Sequence, residues 1–176
     1  MKKLFIITTC LIVSFNVFPQ KGNNKLIAEY EDTLKFIAYE IMNAETEKER
    51  RAANDAFILN LEEVLQYEKS YDFPFDSLVT ISKIKSPDKR FRIFNWLLRK
   101  DNNTYEYYAF VHSYNKRMKK YEIINLVDNS SNIRNVEQSE LDAKNWYGGL
   151  IYDIIYIKKR GRKYYPLLLW DGNDGH

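Results

Sequence analysis

Two amphipathic helices followed by a run of alternating aromatic strands predict an α+β fold: an N-terminal helical hairpin, then an antiparallel, aromatic-rich meander sheet of about six strands. Three observations support this. Apolar residues recur at intervals of three or four between Asn24 and Leu65. From Val79 onward apolar and polar residues alternate, in stretches bounded by Pro, Gly, Asn and Asp. The links between those stretches are mostly short, which favours antiparallel pairing of neighbours.

Met1–Gln20 reads as an export signal. Lys2 and Lys3 form a positive start, Leu4–Phe18 is mostly apolar, and Pro19-Gln20 breaks the run. The run is short of the roughly 20 residues a membrane-spanning helix needs. Cys10 is the only cysteine. A lipid anchor there is rejected, because Ile7-Thr8-Thr9 precede it poorly and the cut would leave half of the apolar run in place. With the signal removed near Gln20, no thiol remains for disulfides, catalysis or metal binding.

Residues 21–78 form the helical hairpin and its connector. In the first helix Leu26, Tyr30, Leu34, Ile37 and Ile41 make a stripe widened by Ile27 and Ala38, capped by Asn23 or Asn24. Thr46 and Glu49 have capping-box spacing and start the second helix, whose stripe is Ala53, Phe57, Ile58, Leu61, Val64 and Leu65. The two-residue link Ala44-Glu45 makes the pair antiparallel. Tyr71–Leu78 connects to the sheet.

Residues 79–176 form the antiparallel β domain. Val79–Lys85 is a short strand leading to Ser86–Trp96, SPDKRFRIFNW. Pro87 and Asp88 favour a tight turn. Phe91, Ile93 and Asn95 then oppose Arg92, Phe94 and Trp96, a pattern expected of a strand packed mainly on one side. Thr104–Tyr114 and Tyr121–Val127 are the next strands. Asp128–Asn145 is a polar loop, with a turn of helix expected near Ser139–Ala143. Trp146-Tyr147-Gly148-Gly149 leads back into the sheet, followed by strands Leu150–Lys158 and Lys163–Trp170 around Gly161. Pro166 places the last strand at an edge or bulge. Its run Leu167-Leu168-Leu169 is expected to be covered on both faces.

The chain carries 27 basic and 24 acidic side chains, but unevenly. Residues 24–76 hold 6 basic and 13 acidic groups, and residues 77–176 hold 18 and 11. The two parts attract each other, or the second part offers an anion-binding surface. Lys116-Arg117, Lys119, Lys120, Lys158, Lys159, Arg160, Arg162 and Lys163 all lie in hairpin turns. Turns sharing one end of the sheet would make a cationic patch. The plainer reading is solubility and protection of edges by lysine. Acidic glycans or lipid headgroups fit an exported protein better than nucleic acid, and no transmembrane span is expected in the mature chain.

Other chemistry is thin. His112 is the only internal histidine. No nucleophile elbow accompanies the serines. Asp171-Gly172-Asn173-Asp174-Gly175 looks like a calcium loop but lacks the required ligand spacing and a downstream carboxylate. No metal site, cofactor or catalytic residue is therefore assigned. The weak catalytic candidates are carboxylates. Asp153 shares an alternating face with Ile151 and Ile155, which predicts partial burial and a raised pKa. Glu106 and Glu122 are possible partners for it on neighbouring strands. The competing reading pairs Asp153 with Arg92 or another basic residue.

SPDKRFRIFNW, Trp146-Tyr147-Gly148 and YYPLLLWDGND at Tyr164–Asp174 resemble an uncharacterised group of secreted Bacteroidetes proteins, which share SPDGKFRI-like and WDGN-like motifs. Lys89 stands where glycine is usual, and Leu169 where glycine precedes the Trp. The resemblance spans roughly 79–174 and brings no activity, cofactor or catalytic residue with it. Members usually continue past the WDGN turn, so His176 is expected to end a truncated copy whose missing segment covers the last strand.

The sequence thus points to an exported, non-catalytic binding or structural module of the cell envelope or secretome. The alternative is a hydrolase of envelope polysaccharide or peptide, using Asp153 with a second carboxylate. The native mature protein is expected to lack residues 1 to about 20. Mass spectrometry that finds an intact Met1 would rule this out.

Overall fold

The computed structural model describes residues 23–135 and 138–173. The expected signal segment and the end of the Asp171–Gly175 turn lie outside the described residues.

Helices α1 (Asn24–Asn43) and α2 (Glu47–Leu65) form the expected hairpin. Asn23 Oδ1 accepts the Leu26 amide at 2.7 Å, and Thr46 and Glu49 close a reciprocal capping box. The buried stripe of α1 is Ile27, Glu31, Leu34, Ala38 and Ile41, and that of α2 adds Arg50 and Asn54 to Phe57, Leu61, Val64 and Leu65. These polar members have work to do. Glu31 accepts the Ser77 amide, and Arg50 donates to the Ala44, Glu45 and Arg99 carbonyls and to Asp101, tying the interhelical turn to the sheet.

A 3-10 turn at Glu68–Tyr71 leads to the main sheet. Strands β1 (Ser82–Lys85), β2 (Phe91–Arg99), β3 (Tyr105–Asn115) and β4 (Lys120–Val127) pair antiparallel in that order. Cross-strand partners share a face. Arg92↔His112, Phe94↔Phe110 and Trp96↔Tyr108 face the helices, where Phe94, Trp96 and Phe110 join Leu34, Phe57 and Leu61 in the larger core. Ile93↔Val111 and Asn95↔Ala109 face the other way, towards a second core containing Trp146, Ile151 and Ile154. The expectation that β2 packs mainly on one side is therefore overturned: Arg92 through Trp96 are all buried. Three layers result, with the sheet in the middle.

The third layer replaces the rest of the expected six-strand meander. After β4 the chain makes a long excursion that includes a 3-10 turn at Ser130–Asn132 and a 3-10 residue at Gln138, while Ser139–Ala143 is not helical. It returns at Trp146, which bridges Asp128. It then crosses beneath the sheet as one interrupted hairpin. Strand β5 (Leu150–Ile154) pairs with β8 (Leu167–Trp170), and β6 (Ile157–Lys159) with β7 (Arg162–Tyr164). Both limbs break at the same level, Ile155-Tyr156 opposite Tyr165-Pro166, where proline has no amide to donate and only the Ile155 N–H to Pro166 O bond spans the gap. Arg160 and Gly161 both have positive φ, as a two-residue turn of this hand requires, and glycine adopts that conformation without strain.

Asn95 attaches this layer. It is buried, donates to the Tyr108 and Gly149 carbonyls, and accepts the Ile151 amide. One side chain thus replaces a missing strand partner. Trp96 anchors the opposite face. Its indole N–H donates to Asn54 Oδ1 at 2.7 Å, its ring stacks on Tyr108, and Phe57 and Phe110 meet it edge-on. Trp96→Ala is expected to cost about 3–5 kcal/mol in chemical denaturation. A loss below about 1 kcal/mol would contradict this packing.

Candidate functional site

The Ser86–Arg90 turn and the β3–β4 turn lie at the same end of the sheet, because Phe91 pairs with Ser113. Each is built by a short polar side chain. Ser86 Oγ accepts the Arg90 and Phe91 amides and donates to Asp88. Lys89 sits at φ +55°. Across from it, Asn115 Oδ1 accepts the Arg117 and Met118 amides.

Between these turns lies a cleft of about 630 Å³. Lys89, Arg90, Lys116 and Arg117 line it, against the carboxylates of Asp88 and Glu122. Lys89, Lys116 and Arg117 form no ion pair among the described residues, whereas both carboxylates are engaged. Asp88 accepts Lys163 Nζ at 2.6 Å and the Tyr165 hydroxyl at 2.9 Å. Burial alone would raise its pKa, but hydrogen bonds from Lys163, Tyr165 and Ser86 outweigh that and bring it down to about 2. Glu122 accepts from Asn115 and lies 4.0 Å from Lys120. Tyr71, Phe91, Tyr114 and Tyr165 supply aromatic walls.

The Tyr71 wall rests on a buried cation. Its hydroxyl donates to the Lys89 carbonyl, and its ring lies against His112 and 6.0 Å from the Arg92 guanidinium. Arg92 donates to the Phe73 carbonyl at 2.7 Å, to the Ser70 carbonyl, and through Nε to His112 Nδ1 at 3.3 Å, while Phe75 and Phe94 flank it. No carboxylate pairs with it among the described residues. Burial lowers its pKa to about 10, so it stays charged at neutral pH. His112 is wholly buried, and its Nε2 points to the Leu65 carbonyl without closing a hydrogen bond of ordinary geometry. Burial, reinforced by the Arg92 charge, lowers its pKa to about 3.

The candidate residues from the sequence fall in three places. Lys119 and Lys120 flank the cleft on the β3–β4 turn. Lys158, Lys159, Arg160 and Arg162 occupy the exposed tip of the third-layer hairpin, and the Lys163–Asp88 pair holds that tip against the Ser86–Arg90 turn. Lys163 also lies over the Tyr156 ring, so its role is structural. Lys89, Arg90 and the aromatic walls of the cleft were not singled out from sequence. The basic pair Lys89-Arg90 directly before Phe91 in SPDKRF was the available signal.

The carboxylates do not converge. Glu106 lies on the helix-facing side of β3, bonded to Arg51 at 2.9 Å and to the Tyr108 hydroxyl. Glu122 pairs in register with Ser113 and so lies on the opposite face. The register shift between Ile151 and Asp153 is a bulge that turns both Tyr152 and Asp153 outward. Asp153 is thus exposed rather than sharing a buried face with Ile151, and it accepts its neighbour Ile154's amide. Arg92, offered as its partner, is committed elsewhere.

The other quoted motif is a clasp. Asn173 both donates to the Tyr105 carbonyl and accepts the Tyr105 amide, extending the edge of β3. Gly172 N–H donates to Tyr107 Oη, and a Cβ there would lie 2.4 Å from the Trp170 ring. Asp171 accepts the Tyr147 hydroxyl. Among the described residues no three His, Cys, Asp or Glu side chains come together to hold a metal, and no helix is long and apolar enough to cross a membrane.

Burial of neutral His112 makes stability depend on pH. The unfolded histidine titrates near ~6.5 and the folded one near 3, so the unfolded chain binds more protons between those values. Its contribution is full above the unfolded pKa and falls as pH drops towards 3, by several kcal/mol at most. Denaturation midpoints should therefore decline from neutral pH to about pH 4.5 less steeply in His112→Gln than in the parent. Parallel declines would show that His112 is not buried neutral. No family model, curated protein or solved structure matches this chain.

Proposed function

We propose that this chain is an exported, non-catalytic binding module of the cell envelope or secretome, and that its end cleft takes acidic carbohydrate. The supporting observation is the cleft itself. Three cations without ion-pair partners among the described residues, and a fourth beside Asp88, converge on a space walled by tyrosine and phenylalanine. Cations supply charge recognition of carboxylate or sulfate groups. Aromatic rings supply apolar faces with polar edges, suited to stacking on sugar rings. Both turns that carry the cations are fixed by their own side-chain hydrogen bonds, so little ordering is needed on binding. The scattered carboxylates offer no acid and base acting on one bond.

Calorimetric titration with a uronic-acid or sulfated polysaccharide is expected to show binding that weakens steeply with salt. Lys89→Glu with Arg117→Glu should weaken it by at least about tenfold at low salt, without changing thermal stability. Neutral polysaccharide of the same backbone should bind far less. Binding that ignores both salt and these substitutions would overturn the assignment.

A further inference from the structure

The third-layer hairpin has an outer face that the described chain leaves largely uncovered; at its base the half-exposed Trp170 ring leans on Tyr105, 6.0 Å away. Alternation runs through the second limb and, past the bulge at Tyr152-Asp153, through the first. Ile151, Ile154, Tyr165, Leu167 and Leu169 point inward to the second core. Tyr152, Ile155, Ile157, Tyr164, Leu168 and Trp170 are all exposed, from 36% for Leu168 to 63% for Tyr152. The register Ile157↔Tyr164 and Lys159↔Arg162 places these four side chains on one side, with Lys163 on the other, against Asp88. The face is therefore an aromatic and aliphatic stripe ending in a cationic tip, Lys159 and Arg162 with Arg160 in the turn, none in an ion pair among the described residues; Lys158 pairs with Lys163 and lies on the other side. Asp153 is the only carboxylate along it. Contiguous apolar surface of this kind normally meets a partner.

We propose that this face docks on an anionic lipid surface. The chemistry is complementary at both ends. Arginine and lysine at the tip meet lipid phosphates, and they act within roughly 8 Å of the surface at physiological salt. Tyrosine and tryptophan favour the boundary between headgroups and acyl chains, where one part of the ring is wet and the other apolar. Ile155, Ile157 and Leu168 have no hydrogen-bonding group to offer a polysaccharide, but they fit the upper acyl region. This surface is distinct from the carbohydrate cleft, and its test does not depend on that reading.

Trp96 and Trp146 are buried, and Trp170 is the one half-exposed tryptophan, so its fluorescence reports on this face. The full chain is titrated with phosphatidylcholine vesicles with and without phosphatidylglycerol, and with versions carrying brominated acyl chains. Partition into the phosphatidylglycerol vesicles, with a blue shift and bromolipid quenching that disappear in Trp170→Phe, is the expected result. Arg160→Glu with Arg162→Glu should reduce the quenched fraction by at least about tenfold at equal lipid. The variants share every other residue, so the difference isolates the hairpin. Absence of Trp170 quenching, or quenching unchanged by the double reversal, would overturn the proposal. So would a dimer that shields Trp170 without vesicles, or a soluble acidic polysaccharide that shields Trp170 and displaces the lipid.

Discussion

Strand β2 is buried on both faces, so every polar group it carries must find a partner inside the protein. That constraint organises the rest. An unpaired buried donor or acceptor costs about 1–3 kcal/mol, and a buried charge more. Arg92 meets it with two carbonyls from the connector before β1, with His112 and with aromatic faces. Asn95 meets it by bonding across to β5, and Trp96 by reaching Asn54 on α2. Three needs on one strand thus fix the connector, the third layer and the helices in place.

The third layer is joined to the sheet by side chains rather than by a shared ladder. Asn95 holds its base, Asp88 holds β7 and Tyr165, and Asn173 with Gly172 holds the end of β8 against β3. The two short sequence motifs therefore have structural duties at opposite ends of the sheet. A hairpin attached this way leaves one face free along its length. It also brings its cationic tip next to the turn that forms the end cleft. Much of the positive charge of the second half of the chain is thereby gathered at one end, next to exposed aromatics, although Arg99, Lys100, Arg134 and Lys144 lie elsewhere.

The buried Arg92–His112 pair beneath Tyr71 gives that end an unusual floor. With no carboxylate paired to it among the described residues, the guanidinium is stabilised by carbonyl dipoles and ring faces, and burial, reinforced by its charge, keeps the neighbouring histidine neutral. The cleft above thus gains fixed positive potential from below as well as from its rim. Its two carboxylates are already held by Lys163, Tyr165 and Asn115.

Local chemistry made the helical hairpin, its caps, the antiparallel order of the first four strands and the burial of Trp96 legible in the sequence. Each depends on residues three or four apart, on alternation, or on turn formers between neighbours. The same logic misplaced Asp153, because one bulged residue inverts an alternating face and leaves no mark in composition. It also overestimated the continuous sheet, because the gap at Pro166 and Ile155 depends on how two distant limbs align. The buried roles of Arg50, Asn54, Arg92 and Asn95 were not legible. Each is settled by a partner between 13 and 56 residues away. The sequence by itself determined the two helices and the first four strands. Only tertiary structure decided that β2 is covered on both sides, and so which polar groups are locked inside and which cations are left to face outward. Burial on both faces of a strand is a property of the packed layers, and no local pattern encodes it.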